Sequence, residues 1–169
     1  MSIVTRQVDS PLGRWTHSEW SPAHLAGIVE MIGYFEGEPA HPRERVFPHG
    51  RLELFVHLSE CYSVVEGTRT ERCPVACVSG LISCSMVVQA PPGGSRVLGM
   101  RLHPTGAYAL LGMPLSELAG ITVDLRDLAG VAADELVKRC HAATSELDAC
   151  EGADHVAKDT PAGLRPRRQ

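Results

Sequence analysis

Arg45-Val-Phe-Pro-His-Gly-Arg-Leu-Glu-Leu-Phe-Val-His-Leu58 joins an extended entry, a Pro-His-Gly turn and the clearest alternating run in the chain. Successive side chains of an extended segment point to opposite faces, so Leu52, Leu54, Val56 and Leu58 share one face and Glu53, Phe55 and His57 the other. The first face is wholly apolar and belongs in a core. The second is mixed, as on a strand whose outer side meets solvent or lines a polar cavity.

Outward from this strand, β-prone segments recur at 28–35, 61–65, 75–78, 86–89 and 97–103. Turn residues separate them: Glu36-Gly-Glu-Pro39 closes the first, Gly67 hinges the polar connection 66–72, and Pro91-Pro-Gly-Gly94 precedes the last. Short strands divided by Gly and Pro turns point to a sandwich or barrel over residues 3–103. At Pro104 the pattern changes. Thr105 is placed to cap a helix running to Leu111, which Gly112 ends; Pro114 opens the next turn, and Asp124 can cap the turn 125–128. In the last helix Ala133, Leu136, Val137, Cys140, Ala143, Thr144 and Leu147 form one apolar stripe, with Asp134 to Lys138 and Glu135 to Arg139 as pairs four residues apart. That stripe needs a partner, either the barrel or a second copy. The expected organisation is one mainly β domain of α+β class over 1–149, helical from 105 to 149, with a disordered tail at 150–169.

The composition excludes several classes of function. A net charge of -4 argues against a surface built to neutralise phosphates, and Arg165, Arg167 and Arg168 in the tail do not alter that. No apolar run approaches the roughly 20 residues that span a bilayer, and the N-terminus lacks a basic segment followed by an apolar one, so a cytoplasmic address is expected. Six cysteines in a reducing compartment are free thiols rather than a disulfide framework. Cys73 and Cys77 have no second pair to complete a zinc site, and in an extended segment they would stand about 13 Å apart. No metal is expected.

No nucleophile elbow, phosphate loop, glycine fingerprint or His-Glu-x-x-His is present, and catalysis is not expected. The mixed faces of two strands offer a binding site instead. On 97–103, Arg101 and His103 lie opposite Leu98, Met100 and Leu102; Arg101 is a planar donor fork that Glu53 could orient. If these faces look inward, Glu53, Phe55, His57, Arg101 and His103 line a small-molecule pocket. The alternatives are a metal-dependent enzyme built on Glu53, His57 and His103, and an interaction domain whose interior is filled by its own side chains.

Two segments carry a resemblance. Arg45-Val-Phe-Pro48-His-Gly50-Arg-Leu-Glu53-Leu54 is similar to the R-x-x-P-x-G-x-x-E-L signature in the N-terminal sensor domain of a branch of AraC-type transcriptional regulators. Gly80, Gly99 through Ala107 with Pro104 and Gly106, Leu111-Gly-Met-Pro114, Glu117-Leu118 and Val123-Asp-Leu125 resemble that branch's later motifs in order and spacing, with Leu102 in place of an aromatic residue and Thr105 in place of a glycine. The resemblance implies a cupin-like β-barrel that binds an unknown small-molecule effector, followed by helices able to form a homodimer, with no cofactor. It gives Arg45, Pro48, Gly50, Glu53, Gly99, Pro104 and Gly106 a role in holding the barrel. In such regulators DNA is contacted by helix-turn-helix units, and none is legible from 142 to 169, so DNA binding is expected only through a domain absent here.

Overall fold

The computed structural model describes residues 3–143. The expected tail at 150–169, and the stripe positions Thr144 and Leu147, lie outside the described residues. Among the described residues eleven strands form two antiparallel sheets. In chain order they are β1 (Val4–Ser10), β2 (Gly13–Trp20), β3 (Val29–Pro39), β4 (Arg43–Val46), β5 (Leu52–His57), β6 (Ser63–Glu66), β7 (Arg69–Arg72), β8 (Ala76–Ser79), β9 (Met86–Gln89), β10 (Ser95–Leu102) and β11 (Thr122–Asp124). The larger sheet has the order β1-β2-β3-β10-β5-β8-β11 and the smaller β4-β9-β6-β7. Helices α1 (Pro104–Leu111), α2 (Leu125–Ala129) and α3 (Val131–Ala142) follow the long strands. This is the mainly β plan, with helices following the long strands, that the sequence suggested.

The alternation around Leu52 decides how the layers stack. Leu52, Leu54 and Val56 of β5 are buried together with Leu98, Met100 and Leu102 of β10 and Val29, Ile32 and Tyr34 of β3. The same cluster contains Ala107 and Leu111 of α1, Leu118, Leu125 of α2, and Ala133, Leu136 and Cys140 of α3. The main core therefore lies between the large sheet and the helices, and the apolar stripe of α3 packs on its own sheet. His141 Nε2 fastens α3 further by donating to the His57 carbonyl at 3.0 Å.

Several local expectations need correction. Glu36-Gly-Glu-Pro39 does not end the strand; β3 runs through it, because β2 pairs with it as far as Gly13↔Pro39. Residues 66–72 are a hairpin with Gly67 at φ 58°, and the charged run after it is β7, an exposed edge strand whose charges discourage pairing with another chain. The N-cap of α1 is His103, with Pro104 at the first helical position, so Thr105 caps nothing. Asp134 pairs with Arg126 at 3.3 Å rather than with Lys138, whereas Glu135–Arg139 forms at 2.8 Å. Gly112 at φ 66° closes α1, and Asp124 accepts from the Arg126 amide at 2.8 Å to cap α2, both as expected.

Candidate functional site

The mixed face of β5 looks neither to solvent nor to the helices. It faces the smaller sheet, and between the two sheets lies a cavity of about 260 Å³. The large sheet contributes Glu53, Phe55 and His57 to its wall, and the small sheet contributes Val64, Met86 and Val88. Register explains the convergence. β10 pairs with β5 through Val97↔His57, Gly99↔Phe55 and Arg101↔Glu53, so their mixed faces coincide. Gly99 matters here for lacking a side chain: a Cβ at this position would meet the Phe55 ring at 3.4 Å, so the ring lies over the glycine.

Three of the five expected pocket residues thus line the cavity: Glu53, Phe55 and His57. Arg101 acts one step back, its Nε donating to Glu53 Oε1 at 3.0 Å. His103 is not brought to the site. It sits beyond the end of β10, where its backbone amide donates to the Ile28 carbonyl and its carbonyl receives the Ala107 amide. A signal for one missed residue was present in the Pro48-His-Gly50 turn: His49 Nε2 stands 3.7 Å from Glu53 Oε2, on the opposite side of the carboxylate from the arginine contact. Tyr62, read only as part of a β-prone segment, and Cys73 and Cys77, read only as free thiols, also reach the wall.

The two ends of the cavity differ chemically. At one end Glu53 is held in an ion pair. At the other, His57 is 4% exposed, and its Nδ1 lies 3.1 Å from the Pro74 carbonyl and 3.3 Å from that of Val75. An Nδ1–H shared between these acceptors leaves Nε2 as the unprotonated nitrogen of the neutral ring. Burial lowers the His57 pKa from its ordinary 6.5; the two carbonyls oppose this and Arg72 adds to it. The sign for stability follows. Protonation is harder in the folded chain than in the unfolded one, so stability is full above about pH 6.5 and falls as pH drops through the lowered folded value. His57→Asn, which keeps a donor without titrating, is expected to flatten the fall in melting temperature between pH 7.5 and 5; an unchanged pH profile would contradict the assignment.

Glu53 and His57 stand four residues apart on one strand, about 13 Å along it, so they do not form an acid–base pair. Nor do they meet His103: among the described residues no group of three or more His, Cys, Asp and Glu is placed to hold a metal ion. The larger concavity of about 740 Å³ is elsewhere, between Asp9, Arg14, Glu38 and Arg96. It is an open groove lined by charges of both signs, whereas the inter-sheet cavity is less open and walled mainly by apolar surface, the usual lining of a small-molecule site.

The fold and the site define a double-sheet β domain with an apolar-walled cavity between its layers. Residues 20–124 match the family described as Domain of unknown function (DUF6597), and the chain belongs to that family. No curated protein matches it. Similar solved structures include the AraC-like transcriptional activator CuxR, at TM-score 0.47 and 12% identity over 99% of this chain and 64% of that one. An HTH_3 family transcriptional regulator from Vibrio cholerae aligns at TM-score 0.41 and 14% identity over 53% of this chain and 51% of that one. Oxalate decarboxylase from Bacillus subtilis aligns at TM-score 0.40 and 11% identity over 71% of this chain and 40% of that one. The chain spans about half the length of the Vibrio cholerae regulator. Among the described residues no helix is long and apolar enough to cross a membrane.

Proposed function

We propose that this chain is the effector-sensing domain of an AraC-type regulatory system, binding a small and mainly apolar molecule between its sheets without transforming it. The observation that carries the reading is the inter-sheet cavity, whose volume of about 260 Å³ suits a single ring with a short substituent. The ordered motifs from Arg45 to Leu125 support the regulatory part. Phe55, Val64 and Val88 supply the apolar wall, and His57 offers one hydrogen-bonding position. Contact with DNA belongs to a separate helix-turn-helix domain. Self-association is part of the reading, and Tyr108 and Val131, 58% and 80% exposed on α1 and α3, are apolar side chains available to it.

A thermal-shift screen of small aromatic and alicyclic compounds bearing one amine, hydroxyl or amide tests the proposal. A binder at a hundredfold excess over its dissociation constant stabilises by about 2.7 kcal/mol, a rise of roughly 5–10 °C for a domain of this size. Val88→Trp, which fills the cavity from the small sheet, is expected to abolish the rise while leaving the chain folded. A rise that survives this substitution would place the ligand elsewhere, and turnover of any binder would refute the non-catalytic reading.

A further inference from the structure

Cys73 and Cys77 are unused by the binding reading, and the structure places them otherwise than their spacing suggests. The chain bends at Val75 before β8 begins, so the two residues are not on one straight strand. Both side chains line the inter-sheet cavity, where the two thiols influence one another's protonation. Backbone pairing holds the bend on both sides: the Cys73 amide donates to the Tyr62 carbonyl at 2.9 Å, and the His57 amide to the Val75 carbonyl at 2.8 Å. Cys77 is 2% exposed, whereas Cys73 is only half-buried. Cys73 also lines two spaces at once, the apolar cavity and an outer polar groove bordered by Glu66, Arg69 and Arg72. A small polar oxidant in the groove can therefore reach Cys73, and a second thiol, Cys77, stands on the same cavity wall.

We propose that Cys73 and Cys77 form a peroxide-responsive dithiol that closes to an intramolecular disulfide in the cavity wall. The oxidant is hydrogen peroxide. The Cys73 thiolate attacks one peroxide oxygen, the O–O bond breaks, and the hydroxide released takes a proton from solvent to become water. Cys73 is oxidised by two electrons to the sulfenic acid, and the peroxide is reduced. The Cys77 sulfur then attacks the Cys73 sulfur; the S–O bond breaks, and hydroxide leaves with the Cys77 proton as a second water. Two thiols and one hydrogen peroxide give one disulfide and two waters.

The local electrostatics agree with this division of roles. The hydrogen bond from Cys77 lowers the Cys73 pKa, against burial and the nearby Glu71, whereas the same bond and burial push the Cys77 thiol up. The outer thiol is therefore the one prepared to attack and the inner one to resolve. Cys84, exposed and outside the cavity wall, is an internal reference. This inference does not depend on the cavity binding an effector.

The test uses the full chain carrying Cys84→Ser, so that the tryptic peptide from Cys73 to Arg96 contains two thiols only. Protein that has been reduced and treated with chelator is exposed to equimolar hydrogen peroxide, quenched with catalase, blocked with N-ethylmaleimide and mapped by mass spectrometry. The expected product is that peptide lighter by two hydrogen atoms and unlabelled, regaining two labels after dithiothreitol. With Cys77→Ser added, dimedone should trap Cys73 as the sulfenic acid. In the unsubstituted chain Cys73 should be oxidised about ten times faster than Cys84. Retention of both maleimide labels after peroxide, or a link from Cys73 to Cys61 instead, would overturn the proposal.

Discussion

Gly80→Ala is expected to destabilise the chain by about 3 kcal/mol or more, an overpacking penalty at its upper end because the obstacle is backbone. Gly80 is buried where β8 ends, and its amide donates to the Ile121 carbonyl at 3.0 Å while Gly120 returns a bond to Leu81 at 2.9 Å. A methyl group there would overlap the carbonyl oxygen of Leu118. Leu118 is 1% exposed and sits in the core between sheet and helices, so it has no room to retreat. Relief would require moving the segment that carries β11 off β8, breaking the Thr122↔Ser79 to Asp124↔Cys77 ladder. The expected readout is a melting temperature lower by roughly 6–12 °C. A shift within 2 °C of the parent would show that the chain crossing from Leu118 to β11 is not seated as described. Gly106, whose added methyl would overlap the backbone of Ile28, is a second position of the same kind.

Leu98→Ala should cost about 3–4 kcal/mol, and Val97→Ala about 1 kcal/mol or less, although the two residues are neighbours. Leu98 is 1% exposed on the helix-facing side of β10, where Val56 and Tyr34 are its cross-strand partners. Truncation there leaves a void that the surrounding sheet and helices cannot close. Val97 points the other way, into a cavity that already exists, so its removal enlarges open space and loses few contacts. Denaturant unfolding of the two variants measures the difference. Equal losses would mean that the two faces of β10 are equally packed, and the cavity between the sheets would have no place.

The alternation from Leu52 to Leu58 was sufficient to separate core face from cavity face, because a period of two leaves no choice once one side is wholly apolar. It could not say whether the mixed face met water or a second sheet. That depends on β4, β6 and β9, whose four-residue strands carry little pattern of their own. Arg101 and Glu53 were legible as a possible pair only because each lies on a mixed face; the register that joins them is set by the β5–β10 ladder. His103 was misplaced because Pro104 ends the strand and starts a helix, carrying the imidazole away from the sheet. The hairpin of β1 and β2 fell within the β portion read over 3–103 but was not resolved into individual strands, since Arg, Gln, Asp, His and Glu alternate there with few apolar residues. That Cys73 and Cys77 share one cavity wall was hidden by a bend at Val75 that spacing alone does not reveal.

The cavity between the sheets is what the functional account rests on, and methyl NMR with benzene as probe tests it most directly. In protein labelled at Ile, Leu and Val methyls, benzene should produce saturable shifts at Val64, Ile82, Val88 and Val97, which line the cavity. Leu52, Leu54 and Leu98, packed against the helices, should move little by comparison. Shifts that grow linearly without saturation, or that centre on the helix-facing core, would contradict the account.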